Sequence, residues 1–331
     1  MNTISRIVAV AAATAASTTS GLGQTAEPVI RAVDFENVLR APNCSGSAFT
    51  VFEIPGSQDT RPVTVNDQGL IGGLYLKPGS PMRHGFLYNK GKVTLIDFSA
   101  SYTNVYAVNN KGEFGGRYDT GAIAHGYVYS NETLTTVDAP GSDGFTVVTG
   151  ITDDADIVGR FRGPDGRNHG FARIKGVWSV VDYPGGISIE AIAIDSKGRH
   201  IAGYWVDTAR RIHGFTYDGG VYASFDVPGA QDTGSAAGAI GVNKHDQIVG
   251  VFTLATDPIS SCGCTGHGFI RDEDGGWTTF DFANSTVTFN TSIDKYGDIV
   301  GLFYDSAGVG HGFFARAGGE DEARDRRNAK P

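Results

Sequence analysis

The chain has 331 residues, a net charge of −9 and a pI near 5.3, and it contains 47 glycines but only two methionines. This acidic balance disfavours a nucleic-acid partner, because phosphate binding needs a concentrated basic surface and no long basic stripe is present. Frequent glycine among β-branched and aromatic residues predicts short strands joined by tight turns, so we expect an all-β protein.

The amino end has the pattern of a secretory signal. One arginine, Arg6, precedes an Ala-rich apolar run over Ile7–Ala16, and small polar residues follow. The run is too short to span a bilayer, which needs about 20 apolar residues. We therefore expect a signal peptide over residues 1–23, a linker over 24–48, and a secreted or periplasmic chain with no membrane span after cleavage. An uncleaved anchor is the alternative.

A repeat dominates the rest of the chain. A His-Gly-aromatic motif occurs six times, at intervals of 41, 44, 44, 54 and 44 residues, and the long interval holds an insertion over Thr253–Gly266. A second signature, such as NDQGLIGGLY from Asn66, stands upstream of each copy. The six motifs begin at His84, His125, His169, His213, His267 and His311.

Each repeat fits four short strands, and four strands in about 40 to 45 residues are typical of a β-propeller blade. The last repeat lacks a fourth strand, whereas FTVFEIPG from Phe49 has the sequence of a fourth strand with no three before it. We therefore predict a six-bladed β-propeller over residues 49–317, in which the N-terminal strand completes the last blade and removes an open sheet edge. Residues 318–331 are predicted to be a disordered charged tail.

With its HG[FY] motifs and the preceding Asn-x-x-Gly and Ile-Val-Gly patterns, the chain resembles the HAF family of probable extracellular repeats. The resemblance covers roughly Phe49 to Ala315, with Gly in place of the Ala of HAF in all six copies. It implies export and a repetitive β fold, and it carries over no catalytic residue.

The motif histidines are interpreted as structural, each tying its strand to a neighbouring loop through a ring N–H, because every unit has one. Cys262, Cys264 and His267 suggest zinc only weakly, since a fourth ligand is missing. The DDAD run from Asp153 lacks the spacing of a calcium loop. We expect no metal and no cofactor, and the pairing of Cys44 with either other cysteine stays open.

The residues that depart from the repeat are the candidates for function. In an up-and-down blade, the loops after the second and fourth strands share one face, and this face collects carboxylates, arginines and aromatic side chains. The ligand-binding candidates are Arg61, Tyr102, Phe145, Arg162 and Trp205. Trp205 is interpreted as an exposed indole suited to stacking on a sugar ring, with packing between blades as the alternative.

The sequence favours a binding module for glycans or another surface polymer over an enzyme. A polysaccharide hydrolase or lyase is the first alternative, with low-ranked candidate carboxylates at Asp59, Asp143, Glu190 and Asp232. The usual hydrolase and nucleotide-binding motifs are absent from the sequence. A purely structural envelope protein, with this face blocked by side chains, is the second alternative. The sequence predicts no oligomeric state.

Overall fold

The computed structural model describes residues 29–34, 49–98, 102–234, 240–257, 266–282 and 285–317. The predicted signal peptide, the predicted charged tail and all three cysteines lie outside these ranges. The described chain is all-β. Its strands form six antiparallel units in chain order.

The first three units each have four strands joined by tight turns. Unit 1 contains β3 (Asp59–Val65), β4 (Ile71–Leu76), β5 (Arg83–Asn89) and β6 (Lys92–Asp97). Unit 2 contains β7 (Thr103–Val108), β8 (Phe114–Thr120), β9 (Ile123–Ser130) and β10 (Thr133–Val137). Unit 3 contains β11 (Thr146–Ile151), β12 (Ile157–Arg162), β13 (Asn168–Ile174) and β14 (Val177–Val180).

The last three units repeat this order with two differences. Unit 4 contains β15 (Ser188–Ile194), β16 (Ile201–Val206), β17 (Ile212–Asp218) and β18 (Val221–Phe225). In unit 5 the first strand is described as two pieces, β19 (Asp232–Thr233) and β20 (Gly241–Val242). Both pieces pair with β21 (Ile248–Thr253). Strands β22 (His267–Arg271) and β23 (Trp277–Phe280) follow. Unit 6 contributes β24 (Val287–Ile293), β25 (Ile299–Tyr304) and β26 (Gly310–Ala315).

The missing fourth strand of unit 6 comes from the front of the chain. Strand β2 (Phe49–Phe52) pairs antiparallel with β26, with Phe49 opposite Ala315 and Phe52 opposite Gly312. The pairing predicted from the repeat is therefore confirmed. It buries Phe52, whose ring stacks on Tyr88 of unit 1 at 5.1 Å, so β2 also packs against the first unit.

The interval predicted as a linker contains a strand. Strand β1 (Val29–Asp34) pairs antiparallel with β6 along its whole length and adds a fifth strand at the outer edge of unit 1. The repeat gave no signal for it, because β1 lies outside the repeating pattern. An added strand satisfies backbone groups that β6 would otherwise present to solvent.

Neighbouring units pack through their first strands. Strand β3 contacts β7, and the series of contacts continues through β11, β15, β20 and β24 back to β3.

The core between units is built from the aromatic residue of each His-Gly-aromatic motif, and all six are at most 1% exposed. In four units a glycine on the second strand makes room for this ring, at Gly73, Gly159, Gly250 and Gly301. At Gly159, for example, a Cβ would lie 2.7 Å from Phe171 and 2.0 Å from the Val147 carbonyl oxygen.

Asparagine, aspartate or threonine caps the turn after each first strand, because these side chains hydrogen-bond nearby backbone amides. The Asn66 Oδ1 atom accepts hydrogen bonds from the amides of Gln68 and Leu70, and its Nδ2 donates to the Asn109 carbonyl of the next unit at 2.8 Å. Glycine has positive φ in four of these turns, whereas Ala155 and Asp246 take that conformation in the other two.

Each motif histidine bonds through Nδ1 to an acidic residue at or just after the end of a fourth strand, which ties the third strand to the start of the following loop. The distance is 2.7 Å for His84 and Asp97 and 2.6 Å for His169 and Asp182. The histidine of unit 6, His311, reaches Glu53, just after β2. The six acidic partners are Asp97, Asp138, Asp182, Asp226, Asp281 and Glu53.

Candidate functional site

A cavity of about 310 Å³ lies between the first strands and is lined by residues of all six units. This volume is at the lower end of the range of about 300–1,000 Å³ that is common for small-molecule sites. The cavity has two ends. The turn end is formed by the turns after the first strands, and the loop end by the residues around the starts of the first strands.

At the turn end, hydrogen bonds join the units side by side. The Lys295 amide donates to Asp67 Oδ1 at 3.0 Å, the Asp67 amide to Asn110 Oδ1 at 2.9 Å, and the Asn110 amide to Asp153 Oδ1 at 2.8 Å. The Asp153 amide continues to the Ser196 carbonyl at 3.3 Å. Because these side chains are already engaged with one another, we interpret the turn end as a structural ring.

The loop end carries an arginine–aromatic cluster, which we define as Tyr102, Tyr106, Arg117, Phe145 and Arg160. The Arg117 guanidinium lies 4.7 Å from the Tyr102 ring centroid and 4.8 Å from that of Phe145, and Arg160 lies 5.8 Å from Phe145. Tyr102, Tyr106 and Arg160 line the cavity. Tyr102 and Phe145 were predicted from the sequence as ligand-binding residues, whereas Tyr106, Arg117 and Arg160 were not.

The cluster exists because units 2 and 3 depart from the repeat at one position. The residue between the second-strand glycine and its aromatic is arginine in these two units, at Arg117 and Arg160. In the other four units it is a buried apolar or aromatic residue, namely Leu74, Tyr204, Val251 and Leu302. Comparing the six repeats at this position reveals both arginines from the sequence alone.

Tyr106 depends on a β-bulge. The register of β7 against β8 shifts between Val105 and Ala107, so Tyr106 is the extra residue. Bulges re-aim a side chain, and here the phenol is directed into the cavity. The same shift occurs in units 1, 3, 4 and 6, at Val63, Thr149, Glu190 and Thr291. A bulge leaves no clear mark in a strand pattern, so sequence analysis missed this residue.

The charges of the cluster are partly compensated. Arg117 forms two hydrogen bonds of 2.7 Å with Asp119. Burial lowers the pKa of Arg117, but the Asp119 carboxylate outweighs this effect, and the pKa is raised overall.

Burial, together with its hydrogen bond to Tyr102, raises the pKa of Tyr106. Tyr106 therefore stays a neutral phenol, able to donate and accept hydrogen bonds at any physiological pH.

Two further arginines reach the cavity from unit 1. Arg61 Nε and Arg83 Nη1 both donate to the same oxygen, Asp59 Oδ2, at 2.8 and 2.9 Å. Arg61 and Arg83 line the cavity and remain 28% and 21% exposed, whereas the Asp59 side chain is only 9% exposed. The arginines are therefore the accessible groups, and Asp59 holds them in place.

The other candidate carboxylates also lie beside arginines. Asp143 bonds to Arg162 at 2.6 Å, and Asp232 accepts from Arg211 at 3.2 Å and from the Ile212 amide at 3.0 Å. The side chain of Glu190 lies outside the described part of the structure. This arrangement suits structural ion pairs, because a glycosidase instead needs two carboxyl groups facing one bond with different environments.

Trp205 is not a lone exposed indole. Its ring is half-buried between Tyr183 and His213, with centroid distances of 4.1 and 4.8 Å, and Nε1 donates to Ser224 Oγ at 3.1 Å. Its equivalents are the aromatic residues opposite the other motif histidines, which are Tyr75, Tyr118, Phe161, Phe252 and Phe303. Trp205 therefore follows the repeat rather than departing from it.

Within the described residues, no group of His, Cys, Asp and Glu side chains is arranged to hold a metal ion. Nor do the described residues contain a helix with the length and apolar character needed to cross a bilayer.

Comparisons with known proteins identify a shared fold but no family. No family model matches the chain, and no curated protein matches it. A structure of the SapL1 lectin in complex with α-methyl fucoside is similar with a TM-score of 0.54 and 12% identity, over 80% of this chain and 94% of the lectin. TolB from Acinetobacter baumannii is similar with a TM-score of 0.52 and 13% identity, over 67% of this chain. That match spans only 54% of TolB.

Proposed function

We propose that the protein is a carbohydrate-binding module, exported to the periplasm or the medium, whose six units form a closed six-bladed β-propeller. Ring closure is supported by the β2–β26 pairing and by the return of the first-strand contacts to β3. Export is supported by the apolar run at the amino end and by the resemblance to extracellular HAF repeats.

The observation that carries the proposal is the arginine–aromatic cluster at the loop end of the cavity. Sugar rings are recognised by aromatic faces, which contact their C–H groups, and by planar polar groups, which hydrogen-bond their hydroxyls. Tyr102 supplies aromatic surface, and Tyr106 and Arg160 supply polar groups, in a cavity of suitable size. Phe145 lies outside the cavity lining, against Arg117 and Arg160. The similarity in fold to SapL1, which was crystallised with a fucoside, agrees with this function.

A glycan array with repeat-restoring variants tests the proposal. The double variant Tyr106→Thr, Arg160→Leu places at each site a residue that other units hold there, Thr149 and Leu302, so we expect it to fold. Wild type should bind at least one saccharide class, and the double variant should bind it about tenfold more weakly or not at all.

The matched control is Arg173→Leu, which removes an arginine 5.6 Å from Trp178, outside the cavity lining. It should bind as wild type does. An array with no bound saccharide, or binding that the double variant leaves unchanged while it keeps its melting temperature, would refute the proposal.

A further inference from the structure

Just before the turns, the cavity is lined by a layer of aliphatic side chains. Each unit contributes one valine or isoleucine, which directly precedes the residue that caps the turn after the first strand. All six line the cavity. We call this layer the aliphatic floor, and its members are Val65, Val108, Ile151, Ile194, Val242 and Ile293.

The aliphatic floor is closely packed. Five of its members are 4–7% exposed, and Ile194 is half-buried. The members lean on the first or second strand of the neighbouring unit. A Cβ added at Gly72 of unit 1 would lie 3.2 Å from Val108 Cγ1, and one at Gly150 of unit 3 would lie 2.8 Å from Ile194 Cγ2. The Arg61 side chain at the loop end is 28% exposed, so a ligand has freer access from the loop end than through the floor.

Three of the hydroxyl side chains beside the floor are already hydrogen-bonded to backbone. Thr149 Oγ1 and Thr291 Oγ1 donate to carbonyls of the following unit at 2.6 and 3.0 Å. Ser292 Oγ accepts from an amide of unit 1 at 3.3 Å. A ligand group that reaches the floor therefore meets mainly C–H surface. A sugar hydroxyl placed there would lose hydrogen bonds to water without replacing them, which is unfavourable.

The floor itself carries no ionisable side chain. Asp67, Lys244 and Lys295 stand two residues after members of the floor, in the turns, and Lys295 Nζ lies 3.8 Å from Asp67 Oδ2. Asp294 accepts hydrogen bonds from amides of its own turn. The arginines of the lining lie at the loop end. The cavity thus has a polar entrance and an apolar base, which suits a ligand with one polar and one apolar part.

We infer that the saccharide is bound as a glycoside with an apolar aglycone. The sugar ring lies beside Tyr102 and Tyr106 at the loop end, and a short alkyl or aryl group on its anomeric carbon extends onto the aliphatic floor. This inference rests on the proposed function. Each methylene moved from water onto the floor favours binding, while the sugar hydroxyls stay at the polar end. A cavity of about 310 Å³ suits one sugar ring with a short apolar group.

Calorimetric titration of the whole protein tests the inference with the methyl and pentyl β-glycosides of glucose, galactose, mannose and N-acetylglucosamine. For at least one sugar, the pentyl glycoside should bind at least about tenfold more tightly than the methyl glycoside, with a more negative heat-capacity change. In a series from methyl to heptyl, each methylene should tighten binding about two- to fourfold, until the chain exceeds the length that the cavity holds.

A matched pair of variants locates the effect. Val65→Thr, Val108→Thr adds two hydroxyls to the floor and should reduce the advantage of the pentyl glycoside at least about threefold. The control Val105→Thr, Val148→Thr makes the same change at two buried valines of first strands that lie outside the cavity lining, and it should keep the advantage. The chain-length series uses wild type alone, so it decides the question even where the floor variant does not fold.

The possible failures are distinguishable. Equal affinity for methyl and pentyl glycosides, or an advantage that the folded floor variant keeps in full, would overturn the apolar aglycone and leave the carbohydrate-binding module intact. If no glycoside binds, the inference falls even where the glycan array detects a saccharide. Pentanol that binds as tightly as every pentyl glycoside would show that the sugar contributes nothing, and the proposed function would fail together with the inference.

Discussion

At the scale of the residue, one hydrogen bond accounts for two parts of the repeat, the motif histidine and the acidic residue at the end of the fourth strand. Four of the six histidines have a second acceptor, an aspartate, at Nε2, so that each imidazole lies between two carboxylates. The acidic residue at the end of the fourth strand is the Nδ1 partner, 13 residues after the histidine in units 1 to 4. This constant spacing was visible in the sequence, yet pairing its two ends required knowing that third and fourth strands are hairpin neighbours.

These imidazoles should make stability depend on pH. Burial lowers the pKa of His169 and His267, but their paired aspartates outweigh it and raise both pKa values above 6.5. A raised histidine pKa stabilises the fold below 6.5, and this contribution is lost as pH rises through the folded-state pKa. The lowered pKa values of Asp165, Asp207 and Asp305 instead stabilise the fold above 3.8.

We therefore expect the melting temperature to be highest between pH about 4 and 6.5 and to fall by a few degrees towards pH 8. Thermal unfolding across this range, followed by circular dichroism, is the measurement. The variant His169→Gln, His267→Gln should be less stable at pH 5 and should show a flatter decline above pH 6.5. A wild-type melting temperature that rises from pH 6 to 8 would contradict this assignment.

Trp205 should contribute to stability rather than to binding. Trp205→Ala opens the stack between Tyr183 and His213 and should lower the free energy of unfolding by about 2–3 kcal/mol. Trp205→Phe, which installs the residue found at Phe161 and Phe252, should cost about 1 kcal/mol or less. Urea unfolding measures both. An Ala variant of unchanged stability that loses saccharide binding would restore the ligand-binding role predicted from sequence.

At the scale of the element, the strands that belong to the repeat were predictable from the sequence, whereas the features outside the repeat were not. The position of FTVF, with the pattern of a fourth strand and no first three, was enough to predict its pairing with β26. Strand β1 and the bulge at Tyr106 were not predictable in this way. Strand β1 occurs once, so no repeat marks it. The bulge is a shift of register, which depends on how a strand pairs rather than on its hydrophobic pattern.

Deleting residues 49–56 should destabilise the protein severely. The deletion removes Phe52, which is 2% exposed, and leaves β26 with an open edge and His311 without Glu53. The single change Phe52→Ala should already cost about 3–5 kcal/mol. Truncation after Gly319 removes no described strand and should cost less than about 0.5 kcal/mol. Urea unfolding that shows equal tolerance of the deletion and the truncation would be inconsistent with β2 being an integral strand of unit 6.

At the scale of the whole molecule, the site is harder to predict than the fold. Tyr102, Phe145 and Arg61 were found because they stand in loops or at strand starts that depart from the repeat. The cavity itself depends on which side chains of the six units meet between the first strands, and no local pattern records that. Trp205 shows the converse: in the sequence it looks like an exposed binding residue, whereas in the structure it holds the regular aromatic position opposite a motif histidine.

The location of a bound saccharide in a crystal structure of the complex tests the account most directly. We predict electron density for the sugar in the cavity between the first strands, in contact with Arg160 and Tyr102 at the loop end. Density in the groove between units 3 and 4, beside Tyr183 and Ile187, with the cavity between the first strands empty, would contradict the site proposed for this protein.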